Sequence, residues 1–337
     1  MKLAFSTLGC PDFTWPEIYS MASDFGFDGI EIRGLGKDIF AVEAQPFTQE
    51  QLPKTIKKLR ELGIEIPCLS SGSCLKFAEK AKENHEEIVK YILLASKLGT
   101  PYVRILADLE PHPTGEVDDR VVLAALEGLI PVAEENGVTL LIETNGVYAD
   151  TSRLCNLLNE ISSDAVAALW DINHPYHFAG ETPGQTVQNL GAYIKYVHTK
   201  DSVMEDGIVK YRMMGEGEIP MDKVMMALHS INYEGYLSLE WVKRWSSDLA
   251  EAGVVFPNYA AYMSRYIEKD YIKGHLYDNN AGTGKYIWQK DTLIDLTFPQ
   301  LLDRVVDEFP NQYAFRYTTM DYTRTYKEFR DDVDAFA

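Results

Sequence analysis

The chain has 337 residues, with 32 Lys and Arg against 51 Asp and Glu, a formal charge of −19. That surplus of acid opposes partners gripped through a phosphate backbone or an anionic membrane surface, because both need clustered Lys and Arg. Small anionic ligands stay open, since a local cation site can still attract them.

Residues 3–7 form the first β-rich run. Further runs follow at 29–34, 65–71, 102–106, 138–145, 166–171, 194–201 and 234–241. Helical stretches lie between them. Residues 49–62 place Leu52, Ile56, Leu59 and Leu62 on one face, and 84–98 do the same with Ile88, Ile92, Ala95 and Leu98. Residues 120–136 and 221–231 behave alike. The runs VTLLIET and YLSLEW are apolar until their last residues, as suits parallel strands buried on both faces. The links ELGIEIP, KLGTPYVRI and ENGVTLLIE each read as a helix end, a terminating Gly and a strand start. This alternation predicts a (β/α)8 TIM barrel over residues 1–268. A doubly wound sheet would need a Gly-rich turn after the first strand, and only Gly9 stands there.

Residues 269–290 are rich in Gly, Asn and Asp and read as a linker. Gly282-Thr-Gly-Lys285 hints at a phosphate loop, but Asn279 and Tyr286 break the required spacing. Residues 291–337 predict a helix at 298–308, a hairpin around 313–325 and a last helix, a small incomplete α+β segment. Cys10, Cys68, Cys74 and Cys155 form no CxxC pair and read as free thiols in a reducing cytoplasm. The N-terminus shows no secretory core, and no run approaches the roughly 20 apolar residues of a membrane span.

In a barrel of this type the chemistry sits at the C-terminal strand ends. The last four strands bring Glu143, Asp171, His198 and Glu240 there. One charge in an apolar strand is ambiguous, but four on neighbouring ends converge. Three carboxylates and an imidazole suit one divalent ion: Mn²⁺, Mg²⁺, Co²⁺ or Zn²⁺. The competing arrangement is a rim of ion pairs with Arg33, Arg104 and Lys200. His112 and His177 read as loop hydrogen bonders, and Trp170 as core. Trp15 and Trp241 are candidates for pocket walls, and Cys10 and Cys68 for packing.

The motifs LIETN, WDINHP, VHTKDS, GEGEIP and YLSLEW, in that order, resemble the xylose-isomerase-like superfamily of sugar isomerases and epimerases. The resemblance covers roughly residues 1–265 and assigns the metal to Glu143, Asp171, His198 and Glu240. It implies a substrate-binding role for His174 and a place beside the substrate for Glu216. Ketose 3-epimerases of this group usually carry an Arg soon after the seventh-strand His. Here Lys200 or the more distant Arg212 must take that role. The implied substrate is a small sugar or sugar acid, and self-association into a homo-oligomer is left open. The implied step is proton abstraction beside a carbonyl, with an enediolate stabilised by the ion. Glu143 and Glu240 are the expected acid and base. A dehydratase of the inosose or 3-dehydroshikimate type is the neighbouring alternative, with His174 or Lys200 as acid. A non-catalytic binding module is the second. Endonuclease IV shares the superfamily, but its many His ligands and DNA-binding surface are not matched in so acidic a chain. The tail, with its P-x-x-x-A and T-Y-x-E patterns, resembles the opening of an AMP-forming acyl-CoA synthetase. It implies a fusion protein cut within its second module.

Overall fold

The computed structural model describes residues 1–267, 297–311, 313–317 and 322–336. The chain divides into two compact units, within 1–270 and 271–337, each described by itself. The expected linker at 269–290, with Gly282–Lys285, lies outside the described residues.

The first unit is a barrel of eight parallel strands: β1 (Lys2–Ser6), β2 (Gly29–Glu31), β3 (Cys68–Cys74), β4 (Tyr102–Leu106), β5 (Thr139–Glu143), β6 (Val166–Asp171) and β7 (Ile194–Thr199), then, after an inserted hairpin of β8 (Asp201–Glu205) and β9 (Ile208–Arg212), β10 (Tyr236–Leu239). The neighbour order is β2-β1-β10-β7-β6-β5-β4-β3. Bridges Gly29↔Glu65 and Ile32↔Leu69 close the circle between its two ends. Around it run α1 (Trp15–Asp24), α2 (Leu52–Leu62), α3 (Ala81–Leu98), α4 (Asp119–Asn136), α5 (Thr151–Asn159), α6 (Pro183–Leu190), α7 (Met221–Ser230) and α8 (Ala252–Met263). The three shared links behave as expected: Gly63, Gly99 and Gly137 end α2, α3 and α4 in the left-handed conformation.

Strand pleating sorts the residues into two cores. Phe5, Ile30, Val103, Ile142, Trp170, Val197 and Leu237 face outward, under the helices. Ala4, Cys68, Leu141, Leu169, Tyr196 and Tyr236 face inward and fill the lower barrel. Two residues further along, the inward positions become polar. Tyr196 is followed by His198, and Tyr236 by Ser238 and Glu240, all of them buried. Cys10 and Cys68 are packing residues, and burial pushes the Cys10 thiol up to about 12.

Three differences from the sequence reading have physical causes. The third strand starts at Cys68 rather than at 65, because Pro67 has no N–H for the ladder. The β8–β9 hairpin turns on Asp206-Gly207, both at positive φ, a two-residue signal that the reading passed over. Helices α1, α5, α6 and α8 carried too short or too mixed an apolar pattern to be marked. In α8, Pro257 interrupts it.

The second unit contains a helix at Phe298–Glu308, an antiparallel pair Tyr313–Tyr317 and Tyr322–Thr325, and a helix at Tyr326–Phe336. Its Phe315 and Phe329 rings pack edge-on at 4.7 Å. Among the described residues no helix is long and apolar enough to cross a membrane.

Asp108 fixes the loops after β4 and β5. Its Oδ1 accepts from Lys76 Nζ at 2.6 Å and its Oδ2 from the Val147 N–H at 2.9 Å. Gly146 sits against that carboxylate with φ +58, and a Cβ there would lie 2.1 Å from Oδ2. Gly146→Ala is therefore expected to cost about 1–3 kcal/mol. Urea denaturation of the full chain checks this, and an unchanged midpoint would contradict it.

Candidate metal centre

The pleat points Glu143, Asp171, His198 and Glu240 into the C-terminal mouth of the barrel. All four are buried, and one ligand atom from each lies within 4.8 Å of the others. His198 Nδ1 stands 3.5 Å from Glu143 Oε1, 3.5 Å from Glu240 Oε1 and 3.9 Å from Asp171 Oδ2. It is buried without a hydrogen-bond partner.

The other ring nitrogen explains that orientation. His198 Nε2 lies 3.1 and 3.0 Å from the two oxygens of Glu31. Glu31 is itself held by Ser70 Oγ at 2.7 Å and Ser238 Oγ at 2.8 Å. A proton on Nε2 donates to this carboxylate and leaves Nδ1 facing the three acids. Second-layer carboxylates set metal-binding imidazoles in the same way. Burial alone would lower the His198 pKa, but Glu31 and Glu240 outweigh it and hold it well above its ordinary value, so the metal-free ring also carries an Nδ1 proton, which a bound ion would displace. Glu31 had no assigned role in the sequence reading. The alternation Ile30-Glu31-Ile32 was its signal, because outward isoleucines force the residue between them inward.

Two cations reach the same acids. Arg104 Nε and Nη2 both lie 2.5 Å from Glu143 Oε2. Lys200 Nζ lies 2.6 Å from Asp171 Oδ2 and 2.5 Å from Glu240 Oε2. So two of the three cations in the competing ion-pair arrangement do pair, and Arg33 does not. The pairs are nevertheless compatible with a metal set at Glu143 and Glu240. Each of these gives Oε2 to a side-chain cation and turns Oε1 toward His198 Nδ1. Only at Asp171 Oδ2 does Lys200 compete directly. The charges leave room for an ion. Glu31, Glu143, Asp171 and Glu240 are four buried carboxylates against two buried cations, Arg104 and Lys200. The His198 imidazolium meets one of the two surplus charges, and a divalent ion replacing its Nδ1 proton would balance the set. The donor set fits the expected ion.

His174 stands three residues after Asp171. Its Nδ1 meets the Thr144 carbonyl at 3.0 Å, and Nε2 is buried, unpartnered and 3.8 Å from Asp171 Oδ2. Burial, the dominant effect, lowers its pKa despite Asp171, so the ring is neutral with an open Nε2 lone pair. Trp15 is half-buried at the start of α1, against Tyr19 and Phe47. It lines a cavity of about 740 Å³ between the loops after β1, β2 and β10. Arg212 is not brought to the cluster. It pairs with Glu205 at 2.6 Å on the hairpin. Its neighbour Tyr211 is there instead, with Lys200 Nζ 5.8 Å from its ring centre. Glu216 is exposed, on a loop tied down by Asp201, whose Oδ2 accepts from the Gly215 and Gly217 N–H groups at 2.9 Å. His177 bonds Ser202 Oγ at 2.7 Å, as a loop hydrogen bonder. Trp241 is buried and donates from Nε1 to the Ala250 carbonyl.

Residues 20–256 match the family model described as the xylose isomerase-like TIM barrel. The chain belongs to this family. A fructoselysine 3-epimerase of Shigella flexneri is 24% identical over 261 residues, covering 74% of this chain and 92% of its own. The probable 3-DHS dehydratase AsbF of Bacillus anthracis superposes with a TM-score of 0.63 at 17% identity, over 78% of this chain and 99% of its own. The IOLI protein, solved with a zinc atom, superposes at 0.62 with 19% identity, over 80% and 100%. The matched model does not reach the tail, and the tail's likeness to a synthetase rests on its sequence motif alone.

Two outcomes follow from the geometry. Glu31→Gln is expected to weaken divalent-ion binding about 10–100-fold, because the His198 tautomer is no longer fixed. Calorimetric titration of chelator-stripped protein measures it, and wild-type affinity would refute the tautomer argument. Lys200→Met is expected to cost the metal-free chain about 3–5 kcal/mol by stranding two buried carboxylates. Saturating Mn²⁺ should then stabilise this variant more than wild type in thermal unfolding. Equal shifts would mean that Lys200 and the ion do not share Asp171.

Proposed function

We propose that the barrel is a divalent-metal-dependent isomerase or epimerase acting on a sugar or sugar derivative through an enediolate. The observation that carries this is the buried convergence of three carboxylates on the unpartnered Nδ1 of His198. The fructoselysine 3-epimerase relative supports the substrate class. Glu143, Asp171, His198 and Glu240 would hold the ion, which when bound supplies Lewis acidity to adjacent substrate oxygens.

The protein's own groups then divide the proton work. Burial favours the neutral form of Glu143, but Arg104 and His198 override it and hold the carboxyl well below the usual range. Glu143 is thus the ionised group that accepts the carbon proton. Glu240 shares its Oε2 with the Lys200 ammonium; Asp171 and Glu240 outweigh burial and hold its pKa well above the ordinary value, and an ion that took up those carboxylates would free it to give up a proton. That pair returns a proton from the other side of the mouth. Return to the opposite face of the same carbon inverts it, and return to the neighbouring carbon isomerises the sugar. His174 presents a neutral acceptor to a substrate hydroxyl, and Trp15 an apolar wall.

The buried Lys200 ammonium also favours a second reading. Delivered to a β-hydroxyl, its proton lets that group leave as water, which makes the reaction a dehydration. The fold shared with AsbF is compatible with this. The tail we assign, on its motif and its helix–hairpin–helix order, to a fused synthetase-like module.

A ketose panel in D₂O with and without Mn²⁺ tests the shared step. Solvent deuterium should enter carbon only with the ion present, and Glu240→Gln should slow turnover about 100-fold or more. An enone chromophore would select dehydration. Neither exchange nor ion binding would leave a binding module.

A further inference from the structure

Two guanidiniums at the mouth, Arg33 and Arg244, have no carboxylate within ion-pair distance among the described residues. In a chain of charge −19 this is unexpected. They are neighbours by construction. The N–H of Arg33 donates to Thr7 Oγ1 at 2.8 Å and that of Arg244 to the Leu8 carbonyl at 3.0 Å, so both lean on the turn after β1. Their side chains reach one loop, Arg33 Nη1 to the Ile39 carbonyl at 3.3 Å and Arg244 Nη1 to the Gly36 carbonyl at 2.8 Å.

The remaining donors of Arg244, Nε and Nη2, are buried and make no hydrogen bond. An unpaired buried charge is costly unless a ligand completes it. Burial and the charges of Arg104 and Arg244 lower the Arg33 pKa, and Tyr91 and Glu87 offset them only in part. Arg244 opens onto the cavity of about 740 Å³, with Trp15, Phe13 and Leu35 as its apolar wall. Asp12 and Asp38 also line it, both exposed and neither within ion-pair distance of Arg244, on which the Asp12 charge acts from further off. That volume suits a small-molecule ligand. Arg104, which grips Glu143, also acts on Arg33.

We propose that Arg244, with Arg33 beside it, binds an oxyanion, a carboxylate or phosphate, at the end of the substrate away from the metal centre. The substrate class narrows to a sugar acid or sugar phosphate. This rests on the enediolate reading for its substrate, but the oxyanion site itself does not.

Calorimetric titration of the full chain with inorganic phosphate and with acetate at low ionic strength tests the site directly. At least one should bind, and Arg244→Met should weaken it about 10–100-fold. Arg244→Lys should restore part of the affinity, and Glu240→Gln should leave it intact. If Arg244→Met fails to fold, Arg33→Met serves, with the same loss expected. The second arm compares KM for a neutral ketose, its phosphate and its acid. Arg244→Met should raise KM only for the form whose oxyanion the site takes, which identifies the source. No binding of either anion, or equal binding by Arg244→Met, overturns the proposal. Arg244-dependent binding with no deuterium exchange from any ketose would keep the oxyanion site and sink the enediolate reading.

Discussion

The constraint that organises this molecule is buried charge. Four carboxylates converge in one barrel on two side-chain cations and the His198 imidazole. Burial penalises every one of these groups, and desolvation is the largest influence on Glu31, Glu143 and Asp171. These three nevertheless stay below their ordinary pKa because a specific partner is aimed at each. Arg104 meets Glu143, His198 meets Glu31, and Lys200 meets Asp171. The strands exist partly to hold those partners in place. The lower barrel is filled by Tyr196, Tyr236, Leu141 and Leu169, so the polar layer has a dry, rigid floor.

From that layer the functional account follows by geometry. Arg104 and Lys200 each take one oxygen from a glutamate and leave the other free to face His198. Glu31 decides which ring nitrogen of His198 carries the proton. The two glutamates meet different cations, an arginine and a lysine, and so become unequal without differing in sequence type. Arg33 and Arg244 both lean on the turn after β1, and Nε and Nη2 of Arg244 make no hydrogen bond.

Much of this was legible in the sequence, and for one reason. Parallel strands buried on both faces read as apolar runs, so any acid or imidazole near their ends stands out. Glu143, Asp171, His198 and Glu240 announced themselves in that way. Glu31 did not, because a three-residue strand offers too little run for contrast, although Ile30 and Ile32 marked its direction. The hairpin was written in Asp206-Gly207, but it interrupts the expected β/α alternation and places Tyr211 rather than Arg212 near Lys200. Pairings such as Lys200 with both Asp171 and Glu240 join strands distant in sequence, and no local pattern encodes them. The arginine pair depends on the turn at Thr7 and Leu8, which only the folded chain brings beside residues 33 and 244.

The central claim is that these four side chains form one metal site. Anomalous diffraction from crystals grown with Mn²⁺ tests it most directly. The account predicts one ion per barrel, ligated by His198 Nδ1 and by oxygens of Glu143, Asp171 and Glu240. An ion bound elsewhere, or none while Lys200 keeps both of its carboxylates, would contradict it.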